Sequence, residues 1–210
     1  MSQTQPTGPA YRIETPRLVI RCWEPKDAPL LNAALRASWE HLGPWMPWAQ
    51  GECPPVEDTA AMLRRWRGDF DRDTDYVYGI LNHDETQALG STGLHKRRGP
   101  DIREIGYWVH VDHINKGYAT EVAKALTKVA FEVDAVRLVE IHCLTNNVRS
   151  AAVPRKLGYV HEATMKARIP TGEDTFGDEM IWVLHADAYP DSPAAESELV
   201  AFDAMGQRLP

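Results

Sequence analysis

Between Arg17 and Trp23 apolar and polar residues alternate with a period of two, the pattern of a strand with one buried face. The period then changes. From Asp27 onward Leu30, Leu31, Ala34, Leu35, Ser38, Trp39 and Leu42 fall at helical spacing, and Gly43 with Pro44 closes that helix. A loop reading PWMPWAQGECPP leads to a second predicted helix, Val56 to Phe70, with Met62, Leu63, Trp66 and Phe70 on one face. Short β-rich runs separated by polar, Gly-containing turns predict strands near Tyr76 to Leu81, Ala88 to His95 and Arg103 to Val111. After DHINKGYAT, Val122, Leu126, Val129 and Val133 repeat at helical spacing. A strand over Arg137 to Leu144, a short helix stopped by Gly158, and strands over Tyr159 to Ala167 and Glu179 to Leu184 follow. The order is β-α-α-β-β-β-α-β-α-β-β. It predicts an α/β fold with about seven strands in a mixed sheet and helices on both faces.

Length and composition narrow this further. A chain of 210 residues with 43% apolar and 25% charged residues has the make-up of one folded domain. The predicted organisation is a flexible segment over 1–10, a main folded domain over 11–185, and an acidic tail over 186–210 in which Ala194 to Met205 has the pattern of a short amphipathic helix. The longest apolar run, Met180 to Leu184, is far short of the ~20 residues a membrane span needs. The first residues lack the basic and apolar regions of a signal peptide, and three scattered cysteines (Cys22, Cys53, Cys143) form no metal or disulfide pattern. A cytoplasmic protein without a membrane partner is expected; the cysteines read as one or two buried small residues and a loop thiol. With 23 basic against 30 acidic residues the net charge is −7, so no nucleic-acid partner is expected, although His95, Lys96, Arg97 and Arg98 could form a local basic patch.

Two strand-to-helix junctions carry the candidate chemistry. Asn115, Lys116, Gly117, Tyr118, Ala119 and Thr120 bridge one. A glycine there lets backbone amides approach an anion, and the helix N-terminus brings about half a positive charge to it, which suits a pyrophosphate. Ordinary turn chemistry leaves the same signature. Neither GxGxxG nor GxxxxGK[ST] is present, so neither a dinucleotide fold nor a P-loop follows. At the second junction Asn147 and Ser150 bracket a helix start, as capping residues do.

Four ordered segments, ETPRLVIRCWEPKDA, HLGPWMPW, IGYWVHVDHINKGYATEVAKAL and NNVRSAAVPRKLGYVHEATMKA, resemble the GNAT superfamily of N-acetyltransferases. The likeness is closest to its RimJ/RimL-type branch of ribosomal-protein N-terminal acetyltransferases, and it spans Tyr11 to His185. The resemblance implies acetyl-CoA as donor, no metal, and direct attack of a primary amine in a ternary complex. It implies a pantetheine arm paired with the backbone of Val109, His110 and Val111 like a further strand, and a pyrophosphate on the amides of Lys116 to Thr120. Two positions depart from the family pattern. Ile114 stands where Gln or Arg is usual, which costs one polar contact. Pro154 stands where many members carry a Tyr that protonates the departing thiolate; the RimJ/RimL branch instead carries a Ser three residues after the Asn, which assigns the thiolate contact to Ser150 and leaves Asn147 to position the pantetheine or thioester.

The attacking amine must lose a proton, and Glu104 beside IGYWV is the first candidate base, with Glu140 and His142 behind it. An exposed strand-end charge would look the same. His110, Asp112 and His113 lie close together, but strand residues three apart point to opposite faces, which argues against a metal site. Trp45 and Trp48 either wall an acceptor pocket or pack between the first two helices. The acceptor is a protein N-terminus or a small-molecule amine, and members of the branch often form homodimers. The competing class is a CoA-binding module without turnover.

Overall fold

The computed structural model describes residues 9–210. Strands β1 (Arg12–Glu14), β2 (Val19–Cys22), β3 (Tyr76–Leu81), β4 (Ala88–His95), β5 (Ile102–Val109), β6 (Leu138–Leu144), β7 (Val160–Pro170), β8 (Phe176–His185) and β9 (Val200–Phe202) form one sheet in the order β7-β8-β6-β5-β4-β3-β2-β1-β9. Neighbours run antiparallel except β5 and β6, which are parallel. Helices α1 (Ala28–Leu42) and α2 (Val56–Asp71) cover one face, and α3 (Tyr118–Glu132) and α4 (Val148–Lys156) cover the other.

Alternation along the strands explains why both faces bury apolar surface. Leu18, Ile20 and Cys22 enter the core under α3 and α4, while Val19 and Trp23 enter the core under α1 and α2. The Trp23 ring lies flat on β3, and a Cβ on Gly79 would fall 2.9 Å from it. On α3 the predicted stripe of Val122, Leu126 and Val129 is fully buried. Cys22 and Cys143 are buried, and Cys53 is a partly exposed thiol in the loop before α2.

The mixed sheet with helices on both faces is as the periodicities predict, but it has nine strands rather than about seven. The additional strands, β1 and β9, have three residues each, too short to display a period. They pair with each other, Ile13 opposite Ala201. The tail therefore differs from the expected amphipathic helix. The open edge of β1 supplies a ladder for Val200–Phe202, and Asp203 then accepts the N–H groups of Met205 and Gln207 at 2.8 Å each to turn the chain. Ala194, Ala201 and Leu209 are part of the main core, so the tail is built into the domain. The expected flexible segment falls largely on residues 1–8, outside the described residues, while Ala10 is fully buried. The β7–β8 hairpin runs beyond its predicted ends because β7 is an edge strand with mostly exposed side chains and so lacks an apolar alternation.

One ion pair is buried beneath the sheet. Arg103 on β5 donates from Nε to Asp134, 2.8 Å away, and both side chains are 6% exposed. Burial raises the Asp134 carboxyl above its usual range despite the Arg103 charge opposing it. We predict that Arg103→Met, which strands that carboxyl, lowers unfolding free energy by about 3–5 kcal/mol in urea titration, and that Arg103→Met with Asp134→Leu recovers most of the loss.

Candidate active site

The site begins where two parallel strands part. β5 and β6 pair only over Ile102–Glu104 and Leu138–Glu140, after which β5 stays with β4 while β6 continues along β8 to the Leu144–Glu179 pair. His110 donates its N–H to Leu89 O on β4 (2.8 Å), so by strand alternation the peptide groups of Tyr107 and Val109 face the gap. Of the three residues expected to pair with a pantetheine arm, only Val109 fits that geometry. His110 also accepts His113 N–H (2.8 Å), so both its main-chain groups are engaged. Val111 opens a 3-10 turn rather than continuing the strand, and its N–H is donated to Ser38 Oγ on α1 at 3.1 Å.

At the end of the gap the chain turns into α3 through Asn115 (φ 60°) and Gly117 (φ 82°), both left-handed. The first bond into the helix is Glu121 N–H to Gly117 O, which leaves the amides of Tyr118, Ala119 and Thr120 without helical acceptors, and Gly117 provides no side-chain cap. An anion at this end would meet those amides and the positive pole of the helix. Arg17, which the sequence reading did not single out, braces the loop. It donates to Lys116 O (2.9 Å) and to Glu121 (2.6 Å), and its guanidinium lies 4.6 Å from the Tyr118 ring centroid. It also offsets the charge of Glu121, which would otherwise repel an anion.

The second junction closes the gap from the other side. Asn147 caps α4, its Oδ1 accepting Ser150 N–H at 3.1 Å, and its amide nitrogen remains to donate into the cavity it lines. Pro154 lies inside α4 and cannot donate to the carbonyl of Ser150 four residues earlier. That carbonyl instead accepts the Tyr107 hydroxyl at 3.3 Å, with Ser150 Oγ 3.2 Å from the same phenol. Burial pushes the Tyr107 phenol well above its usual range, outweighing the Ser150 hydrogen bond, so it stays a neutral donor. Cys143 is beside Ser150, and burial pushes its thiol up as well.

Beyond Ser150 and Tyr107 a cavity of about 840 Å³ opens on the α1–α2 side, walled by Trp39, Trp45, Trp48, Trp66 and Trp108. Trp48 is 50% exposed at the mouth, with its ring 6.0 Å from Trp39 and 6.4 Å from Trp108. Trp45 and Trp48 thus line a pocket. Glu104 lines the same space, with Arg97 donating to it at 3.1 Å. His142 has Nε2 2.9 Å from Glu140 and Nδ1 3.1 Å from Glu179. The expected basic patch is dispersed. His95 meets Asp75, Lys96 donates to Asp73 O, Arg97 meets Glu104, and Arg98 lies 3.9 Å from Glu140.

Residues 17–160 match the model of the acetyltransferase (GNAT) domain family. A putative ribosomal N-acetyltransferase, YdaF of Bacillus subtilis (strain 168), is 30% identical over 154 residues, which cover 72% of this chain and 81% of YdaF. Among solved structures, a GNAT-family acetyltransferase from Bacillus anthracis aligns with a TM-score of 0.71 at 25% identity, over 84% of this chain and 99% of that one. RimL, a ribosomal L7/L12 α-N-protein acetyltransferase solved with coenzyme A, gives 0.75 at 20% identity over 83% and 97%. The chain belongs to the GNAT acetyltransferase family.

Family membership makes the protein an N-acetyltransferase, of a family whose donor is acetyl-CoA. The loop leaves the main-chain amides of Tyr118, Ala119 and Thr120 open, and Ile114 in place of Gln or Arg removes a side chain without covering them. The two histidines of the His110, Asp112, His113 group are otherwise engaged: His110 Nδ1 accepts the backbone N–H of Asp112 (3.2 Å), and His113 contacts Gln87 (3.2 Å) and Lys116 (3.4 Å), while the Asp112 carboxylate is exposed. Among the described residues no three His, Cys, Asp or Glu side chains gather as a metal site, and no helix is long and apolar enough to cross a membrane. We predict that Gly117→Val weakens acetyl-CoA binding about tenfold or more in calorimetry, because a β-branched residue is strained at this φ and the turn that aims the Tyr118, Ala119 and Thr120 amides is lost.

Proposed function

We propose that the protein transfers acetyl from acetyl-CoA to a primary amine by direct attack within a ternary complex. The observation that carries this reading is the meeting of Tyr107, Asn147 and Ser150 where the strand gap opens into the tryptophan-walled cavity. A donor threaded between β5 and β6, with its pyrophosphate on Tyr118, Ala119 and Thr120, ends its thioester there. An acceptor then enters from the α1–α2 side. Val109 supplies main-chain pairing, Lys116 and Asn115 shape the loop, and Asn147 donates to the pantetheine or thioester from its free amide nitrogen.

Ser150 contacts the departing thiolate. Its oxygen lies 3.2 Å from the Tyr107 phenol, whose own proton goes to the Ser150 carbonyl, and its O–H is turned toward sulfur. A CoA thiolate is a fair leaving group, so this assistance is modest. Cys143 is poorly suited to accept the acetyl group itself, because burial keeps its sulfur as a thiol. The acceptor is an amine on a protein N-terminus or a small molecule. Relatives named as ribosomal acetyltransferases favour the former, and the exposed Trp48 at the mouth suits a chain end entering from solvent.

Acetyl-CoA titration by calorimetry, with thiol release followed over a panel of N-terminal peptides and amino compounds, tests the reading. Acceptor-dependent release supports it, and binding without release across the panel makes the chain a donor-binding module. We predict that Ser150→Ala lowers kcat on the order of 10- to 100-fold with a smaller change in KM, at or below the low end of general-acid assistance. We also predict that Cys143→Ala keeps a kcat of the native order, with intersecting rather than parallel double-reciprocal plots.

A further inference from the structure

Two glycines face each other in the floor of the acceptor cavity. Gly93 on β4 and Gly106 on β5 are register partners, and the space their absent side chains leave is filled by the imidazole of His95, folded back from the end of β4. A Cβ on Gly93 would fall 2.2 Å from His95 Nε2, and one on Gly106 would fall 3.4 Å from it. His95 Nδ1 lies 2.8 and 3.0 Å from the two oxygens of Asp75. Asp75 accepts Lys96 N–H as well, at 3.3 Å. Burial alone would raise the Asp75 carboxyl, but the hydrogen bond and charge of His95 more than offset it and hold the carboxyl below its ordinary value.

A carboxylate only accepts, so the proton of a neutral imidazole resides on Nδ1 and the Nε2 lone pair is left over. Among the described residues Nε2 has no hydrogen-bond partner; it lies over Gly93 and Gly106, and His95 lines the same cavity as Tyr107, Trp108 and Ser150. The bases expected from sequence are committed elsewhere. Glu104, the register partner of His95, shares its charge with Arg97, and both nitrogens of His142 face carboxylates.

We propose that His95, oriented by Asp75, is the general base of the acetyl transfer, an inference that rests on the reaction proposed above. The nitrogen of a neutral amine bonds the thioester carbonyl carbon as one N–H proton passes to His95 Nε2. The C–S bond breaks, and its electron pair leaves on sulfur as the thiolate at Ser150. The imidazolium then returns its proton by way of solvent to the thiolate, giving an amide and a free thiol. Asp75 is a positioning residue: it fixes the tautomer and stabilises the imidazolium.

The test combines kinetics with a spectroscopic signature. In the full-length enzyme, with thiol release followed over free-amino peptides starting in Ala or Ser and a set of amino compounds, His95→Ala should lower kcat about 10²- to 10³-fold while leaving calorimetric acetyl-CoA affinity within a factor of two. Added imidazole should restore part of that rate. Gly93→Ala, which displaces the ring without altering an ionisable group, should also lower kcat. In ¹⁵N-histidine spectra at alkaline pH, with His95 assigned by its loss in His95→Gln, the native ring should be the Nδ1–H tautomer and Asp75→Asn should give a mixture. A native Nε2–H tautomer, or full kcat in His95→Ala, would overturn the assignment with native thiol release intact. No acceptor-dependent release from the native enzyme anywhere in the panel would overturn the acetyl-transfer reading and this one with it.

Discussion

The parting of β5 and β6 after Glu104 is the constraint on which the rest of the site depends. Parallel strands with continuous pairing would satisfy each other's peptide groups and leave nothing for a ligand. Here three residues of each strand pair, and beyond them β6 stays with β8 on its far edge and β5 stays with β4, so the edges they had turned to each other separate. The free edge of β5 offers main-chain donors and acceptors at Tyr107 and Val109, and the gap directs whatever binds there toward the two helices that follow the parted strands. Both helix N-termini therefore face one cleft. One presents uncapped amides beside a left-handed glycine, and the other presents a capped turn with a hydroxyl.

Several working parts arise from groups that are missing. Pro154 lacks an N–H, and the carbonyl it frees anchors the Tyr107 phenol beside Ser150. Gly93 and Gly106 lack side chains, and the trough they leave receives the His95 ring. Gly117 lacks a Cβ and tolerates the backbone turn that aims three amides outward. In each case an ordinary side chain or amide would close the space or consume the partner that the site uses.

Charge on the acceptor side is arranged in pairs rather than as a field. Arg97 answers Glu104, Asp75 answers His95, and Glu140 and Glu179 flank His142. Such local compensation attracts neither phosphates nor polyanions over distance, and it leaves the tryptophan wall as the main surface an acceptor meets. In the acetyl transfer we propose, recognition on that side depends on shape and apolar contact around the amine.

The sequence by itself determined the elements of the interior and the junction chemistry. Helical spacing placed α1, α2 and α3, alternation placed β2, β-rich runs between turns placed β3 and β4, and Gly117, Asn147 and Ser150 were legible because turn and cap chemistry is local, set by φ and by hydrogen bonds within a few residues. The tertiary structure decided what depends on contacts between distant segments. β1 and β9 are too short to carry a period: β1 forms on the ladder of β2, and β9 on the edge that β1 then offers. The same holds for Arg17 on the α3 loop, Tyr107 on the carbonyl freed by Pro154, and Asp75 on His95, 20 residues apart in the chain. Sequence lists ionisable groups but not which are paired: Glu104, Glu140 and His142 are the candidate bases, and the folded chain turns Arg97 of the β4–β5 turn onto Glu104 and sets His142 between Glu140 and Glu179 of β8. Hydrogen-bond geometry acts over about 3 Å, and residues from remote parts of the chain come within that range only in the folded sheet.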